Sequence, residues 1–97
     1  MVEFIPLFQL SPDEFNELDS LEDLQLGHNQ LTSLNGSLAT LRSLRCLILT
    51  NNLFEEFSLQ EIRGLRRLRI IDLSFNRVSR LDGQMEVFIN TTFLYIL

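Results

Sequence analysis

Leu21-Glu-Asp-Leu24-Gln-Leu26-Gly-His-Asn29-Gln-Leu31 is the stretch that decides how this chain folds. Its apolar residues fall at fixed short intervals, and one Asn stands three residues after the close-set group. The template returns as Leu44-x-x-Leu47-x-Leu49-x-x-Asn52-x-Phe54 and again as Leu68-x-x-Ile71-x-Leu73-x-x-Asn76-x-Val78. The steps from Asn to Asn are 23 and 24 residues. A self-similar period of this length outranks local propensity, because each copy is one unit that buries its apolar side against its neighbours.

The segments between the copies carry a second pattern. Stepping back in threes from each leading Leu gives Leu18 and Phe15, then Leu41 and Leu38, then Leu65, Ile62 and Leu59. That spacing keeps side chains on one face of a helical turn. Ser11-Pro12-Asp13-Glu14 and Ser58-Leu59-Gln60-Glu61 both read as capping boxes, the first with Pro at the opening helical position. Before the first full copy, Val2, Ile5, Leu7 and Leu10 fit the second half of a repeat. After the third, Met85, Phe88 and Thr91 step up to Leu94, and Leu94-x-x-Leu97 reads as the start of another strand motif. The organisation expected is one domain: a partial repeat over 1–20, repeats over 21–43, 44–67 and 68–93, and a truncated strand over 94–97. Both ends fall inside repeats, as expected for a piece of a longer solenoid.

The wording and spacing of these copies resemble the leucine-rich repeat family over nearly the whole chain. The resemblance implies an α/β solenoid: a right-handed coil with short parallel strands on its concave face and short helical or irregular segments on its convex side. It also implies that Asn29, Asn52 and Asn76 form a buried structural column bonded to backbone groups of their own and adjacent coils. An amide that both donates and accepts suits that task. Ligands in this family are read by outward strand residues, which here form the columns Asp23, Cys46, Ile70; Gln25, Ile48, Asp72; Gly27, Thr50, Ser74; and His28, Asn51, Phe75. Asp23, Gln25, Ile48, Ile70, Asp72 and Phe75 are the expected partner-binding set, an apolar centre with a polar surround that suits a protein ligand.

Composition bounds the rest. The chain has 97 residues, 21 of them Leu, and a net charge of -5. Its 45% hydrophobic content is too high for a disordered tail. An acidic balance argues against general nucleic-acid binding, which needs basic groups for the phosphates. One Cys excludes an internal disulfide framework. No apolar run approaches the roughly 20 residues of a membrane span. The opening Met1-Val-Glu-Phe-Ile5 has no basic region or small-residue cleavage site, so no signal peptide is expected there. A lone His and a lone Cys make a metal site improbable, and no nucleophile–base set or phosphate loop is brought together. No enzyme activity and no cofactor are expected.

All eight basic residues are Arg, and none precedes Arg42. Arg42 and Arg66 share one column of the repeat, and Arg45 and Arg69 another, with Asp19 and Glu22 in those columns one coil earlier. Stacking should set Glu22 beside Arg45 and Asp19 beside Arg42. The flank offers an alternative function, binding an acidic protein or anionic glycan, because guanidinium forks match carboxylate and sulfate oxygens. A third reading is a spacer within a longer repeat protein, self-associating through exposed Val2, Phe4, Leu94 and Ile96 at uncapped ends. Two glycosylation sequons occur, at Asn35 and Asn90. The Pro12-x-x-Phe15-x-x-Leu18 lead-in is similar to the typical repeat class of Toll-like and chaoptin-like proteins. Together these place the chain outside the cell or at its surface, within a longer protein, with a cytoplasmic setting as the alternative.

Overall fold

The computed structural model describes residues 9–82 and 95–96. The leading strands of successive coils pair side by side, all parallel, in a sheet ordered β1 (Asp23–Gln25), β2 (Cys46–Ile48), β4 (Ile70–Asp72), β6 (Tyr95–Ile96). The register repeats the sequence period: Asp23 faces Cys46, which faces Ile70, and Leu24 faces Leu47, which faces Ile71. Only the central residue of each triplet points inward, so Leu24, Leu47 and Ile71 are 0–1% exposed. Coil-to-coil bonding continues beyond the triplets, with Leu26 N–H to Ile48 O at 2.9 Å and Leu49 N–H to Asp72 O at 2.8 Å.

The steps of three on the other side have a direct physical counterpart. Leu18 donates to Phe15 O, Leu41 to Leu38 O and Leu65 to Ile62 O; Leu21, Leu44 and Leu68 then donate to Leu18, Leu41 and Leu65. These are i→i+3 bonds, which eclipse side chains three apart and turn all of them into the core. Among the described residues, the second coil lengthens them into a 3₁₀ helix, Leu59–Ile62. The two capping boxes differ. At Ser11 both arms close: Asp13 N–H donates to Ser11 Oγ (3.1 Å) and Ser11 N–H to Glu14 Oε1 (3.2 Å). At Ser58 only the hydroxyl arm forms, to Gln60 N–H. Glu61 instead accepts from Gly36 N–H of the preceding coil at 2.9 Å, because stacking offers it a donor that the sequence motif does not show.

Two features depart from the repeat template. A second sheet pairs β3 (Glu56–Ser58) with β5 (Arg80–Asp82), where the chain leaves the main sheet. The corresponding first-coil residues, Ser33, Leu34 and Asn35, form no strand, and neither does Thr32 before them. A small cleft of about 110 Å³ separates Thr32, Ser33 and Leu34 from Phe54, Glu56 and Phe57. The fourth strand is also shifted. β6 sets Tyr95 against Ile70 and Ile96 against Ile71, so Ile96, not Leu97, holds the inward column, and the motif starts one residue before Leu94. The two readings have equal apolar content, and a one-residue slip exchanges the faces. Ile96 is therefore packed against the core instead of exposed. Val2, Phe4, Ile5, Leu7, Met85, Phe88, Thr91, Leu94 and Leu97 lie outside the described residues, as does Asn90.

The core is one continuous ladder running from Leu10 and Phe15 to Leu73. Phe54 and Phe57 pack edge to face within it, with centroids 6.2 Å apart. Ser37 is buried among these residues, and its Oγ has no hydrogen-bond partner.

Candidate functional site

The outward face of the four-stranded sheet carries the columns expected to meet a ligand. In the first, Asp23 is exposed, Cys46 half-buried and Ile70 exposed at 39%. Gln25, Ile48 and Asp72 of the second are all half-buried. Gln25 and Asp72 are partly engaged within the chain: Gln25 Oε1 accepts from Gly27 N–H at 2.6 Å, and Asp72 Oδ1 from Ser74 N–H at 3.0 Å. Each caps the backbone two residues on, where the strand has ended. Gly27 is buried, and a Cβ there would lie 2.7 Å from Gln25 Oε1 and 2.8 Å from Thr50 Oγ1. The third column therefore offers a ligand only Thr50 and Ser74.

The fourth column shares an unusual backbone. His28, Asn51 and Phe75 have φ of 59°, 56° and 60°, the left-handed region. That twist turns the chain inward, so that the next residue, always Asn, enters the coil. His and Asn tolerate it, whereas a bulky Phe is a genuine outlier. Phe75 is also 79% exposed.

Of the Asn column behind it, Asn52 is buried and Asn29 and Asn76 are half-buried, and Asn52 and Asn76 bind across coils. Asn52 is 5% exposed; its Nδ2 donates to Leu49 O (3.0 Å) and Leu26 O (2.9 Å), and its Oδ1 accepts from Leu31 N–H (3.0 Å). Asn76 repeats the set on Leu73 O, Leu49 O and Phe54 N–H. Asn29 donates to Leu26 O and Gly27 O.

Two carboxylates, Asp23 and Asp72, bracket Cys46, two coils apart or about 10 Å by strand spacing. Burial first, then the fields of Asp23 and Asp72, push the Cys46 thiol above its ordinary pKa. The thiol stays protonated at neutral pH and is a poor nucleophile.

The Arg columns lie where the chain enters the strands. Arg45 N–H donates to Glu22 O (2.8 Å) and Arg69 N–H to Arg45 O (2.9 Å), which fixes the expected stacking. The side-chain pairs expected with Glu22 and Asp19 do not form. Among the described residues the ion pair present is Arg80–Glu56 at 2.6 Å, on the opposite side of the coil. Exposed partners gain too little to hold long side chains together. Asn35 sits in an exposed turn with φ 54°, and its Nδ2 donates to Leu10 O at 2.9 Å.

One surface escaped the reading of the repeats. Leu53, 47% exposed, separates two open clefts of about 380 and 390 Å³, one lined by Glu55, Ser79 and Arg80 and the other by Gln9, Gln30 and Asn35. Its sequence signal was a Leu at a position outside the apolar template. Among the described residues, no three His, Cys, Asp or Glu side chains cluster as metal ligands, and no helix is long and apolar enough to cross a membrane.

A family model described as leucine rich repeat matches residues 5–54. The chain belongs to the leucine-rich repeat family. Human lumican (Homo sapiens) is 41% identical over 76 residues, 77% of this chain and 22% of that protein. The flightless-1 homolog of Caenorhabditis elegans is 40% identical over 69% of this chain and 5% of its own length. Adenylate cyclase of Neurospora crassa is 32% identical over 73% of this chain and 3% of its own length. The chain thus spans about a fifth or less of these relatives. No solved structure matches. Repeats of this family suggest a protein–protein interaction module.

Proposed function

We propose that this leucine-rich repeat chain is a protein-interaction module, a right-handed solenoid that binds its ligand on a concave face formed by the four-stranded sheet. The observation that carries the reading is Phe75. A bulky aromatic held in the left-handed region costs on the order of 1 kcal/mol, and at 79% exposure it contributes little to the core. Exposed Phe75 and Ile70 supply apolar anchors, and Ile48 extends them. Asp23 and Asp72 give the polar surround, with Gln25 contributing through its amide nitrogen.

The test compares wild type, Phe75→Asn and Ile70→Arg as bait in a tissue extract. Asn suits the left-handed backbone, so Phe75→Asn is expected to fold with equal or greater stability while losing captured protein. Full retention of the captured set by both folded variants would remove the sheet face as the binding surface.

We place the chain outside the cell. The Pro12-x-x-Phe15-x-x-Leu18 lead-in, the sequon at Asn35 and the repeated similarity to lumican support this setting over a cytoplasmic one. Asn35 Nδ2 uses one N–H on Leu10 O, which leaves the other position for a sugar. Expression through a secretory route should give a mobility shift that peptide-N-glycosidase removes. Part of that shift should vanish in Asn35→Gln.

A further inference from the structure

Six Arg residues are exposed: Arg42, Arg45, Arg66, Arg67 and Arg69 in the segments leading into β2 and β4, and Arg63 at the end of the 3₁₀ helix. Their order is set by the backbone. Arg42 N–H donates to Thr40 O (2.9 Å) and Arg66 N–H to Gly64 O (3.0 Å), the same tight turn one coil apart. Arg69 N–H donates to Arg45 O (2.9 Å), so these two also lie in adjacent rows. Rows at the strand spacing of about 4.8 Å hold like charges close together. None of the six is in an ion pair within 4 Å among the described residues, where the pair formed is Arg80–Glu56 on the far side. Among the described residues, the exposed large apolar side chains are Leu53, Ile70, Phe75 and Leu81. Ile70, next to Arg69, belongs to the outward sheet face, Phe75 follows it, and Leu53 and Leu81 lie where the chain leaves the sheet, so Ile70 borders the Arg columns and none of these apolar side chains stands between them.

We propose that this flank is a binding site for a sulfated polysaccharide, whose successive sulfates bridge the Arg42–Arg66 and Arg45–Arg69 columns. Guanidinium forks match sulfate oxygens two at a time. A linear polyanion needs no apolar pocket, whereas a folded acidic protein would normally add a buried anchor at the centre of its footprint. The site is separate from the outward sheet face, where Asp23 and Asp72 repel the same ligand. It holds although the whole chain is acidic at -5, because residues 42–69 concentrate six of its eight Arg.

The probe is a size-defined, fluorescently labelled heparin oligosaccharide titrated with the full chain at near-physiological salt. Saturable binding that weakens steeply with added salt is expected. Arg45→Ser/Arg66→Ser/Arg69→Ser should bind at least tenfold more weakly with an unchanged denaturation midpoint, since all three side chains are exposed. Arg77→Ser, away from this flank, should bind as wild type. Unsulfated hyaluronan should compete poorly. Wild-type affinity in the triple variant overturns the site. Equal or tighter binding of poly-glutamate or hyaluronan overturns the ligand class in favour of an acidic polypeptide or a general carboxylate surface.

Discussion

Asn52 shows what one amide accomplishes in a stacked chain. It takes a carbonyl from its own coil and one from the coil before, and it serves the Leu31 N–H that no strand reaches. Asn52→Leu keeps the volume and leaves these groups unsatisfied. It is expected to lower stability by roughly 1–3 kcal/mol, read as a fall in denaturant midpoint with little change in slope. Cys46 makes a second prediction at this scale. Burial and the two Asp fields favour its protonated form in the folded state. Its effect on stability is nil while both folded and unfolded thiols are protonated. Stability then declines as pH rises through the unfolded value near 9.0 toward the higher folded one. Alkylation of the folded chain by iodoacetamide should be slower than that of the unfolded chain. Asp23→Asn/Asp72→Asn should recover only part of the rate, because burial is the larger cause.

At the scale of the element, the strands are short because sheet pairing competes with a turn that must admit the Asn column. Gly27 sits at that transition, with Gln25 and Thr50 closing on it. Gly27→Ala is expected to cost about 1–3 kcal/mol by overpacking and to loosen the β1–β2 pairing, measured as faster amide exchange at Leu26 and His28. The main strands were legible because three copies fixed both their position and their face. The turns on the other side were legible as steps of three. Hidden from the sequence were the β3–β5 pair and the one-residue shift of β6. The first depends on backbone geometry, because Ser33-Leu34-Asn35 shares the apolar centre of Glu56-Phe57-Ser58 and Arg80-Leu81-Asp82 and yet forms no strand. The second depends on a choice between Phe93-x-x-Ile96 and Leu94-x-x-Leu97, which are equally apolar. At the candidate site the outward columns were legible, but the internal bonds of Gln25 and Asp72 and the left-handed backbone at Phe75 were not, since neither follows from residue spacing.

For the whole molecule, stability is a sum over coil-to-coil contacts, with no central core to share the load. Leu47 lies fully buried between Leu24 and Ile71 in register. Leu47→Ala should cost about 2–5 kcal/mol, and amide exchange should quicken in β1 and β4 as well as β2. Protection unchanged in β1 and β4 would mean that the coils are energetically independent. The far side of the stack is bonded unevenly. Between the second and third coils, β3 and β5 zip it shut, while Thr32-Ser33-Leu34 faces β3 across a cleft spanned by the Glu61–Gly36 tie. Mechanically the molecule resembles a book with a sewn spine and two pages glued at the fore-edge. Flexing or tension should fan it open at the unglued page between Thr32 and Glu56, a seam of the described coils that the Glu61 carboxylate latches.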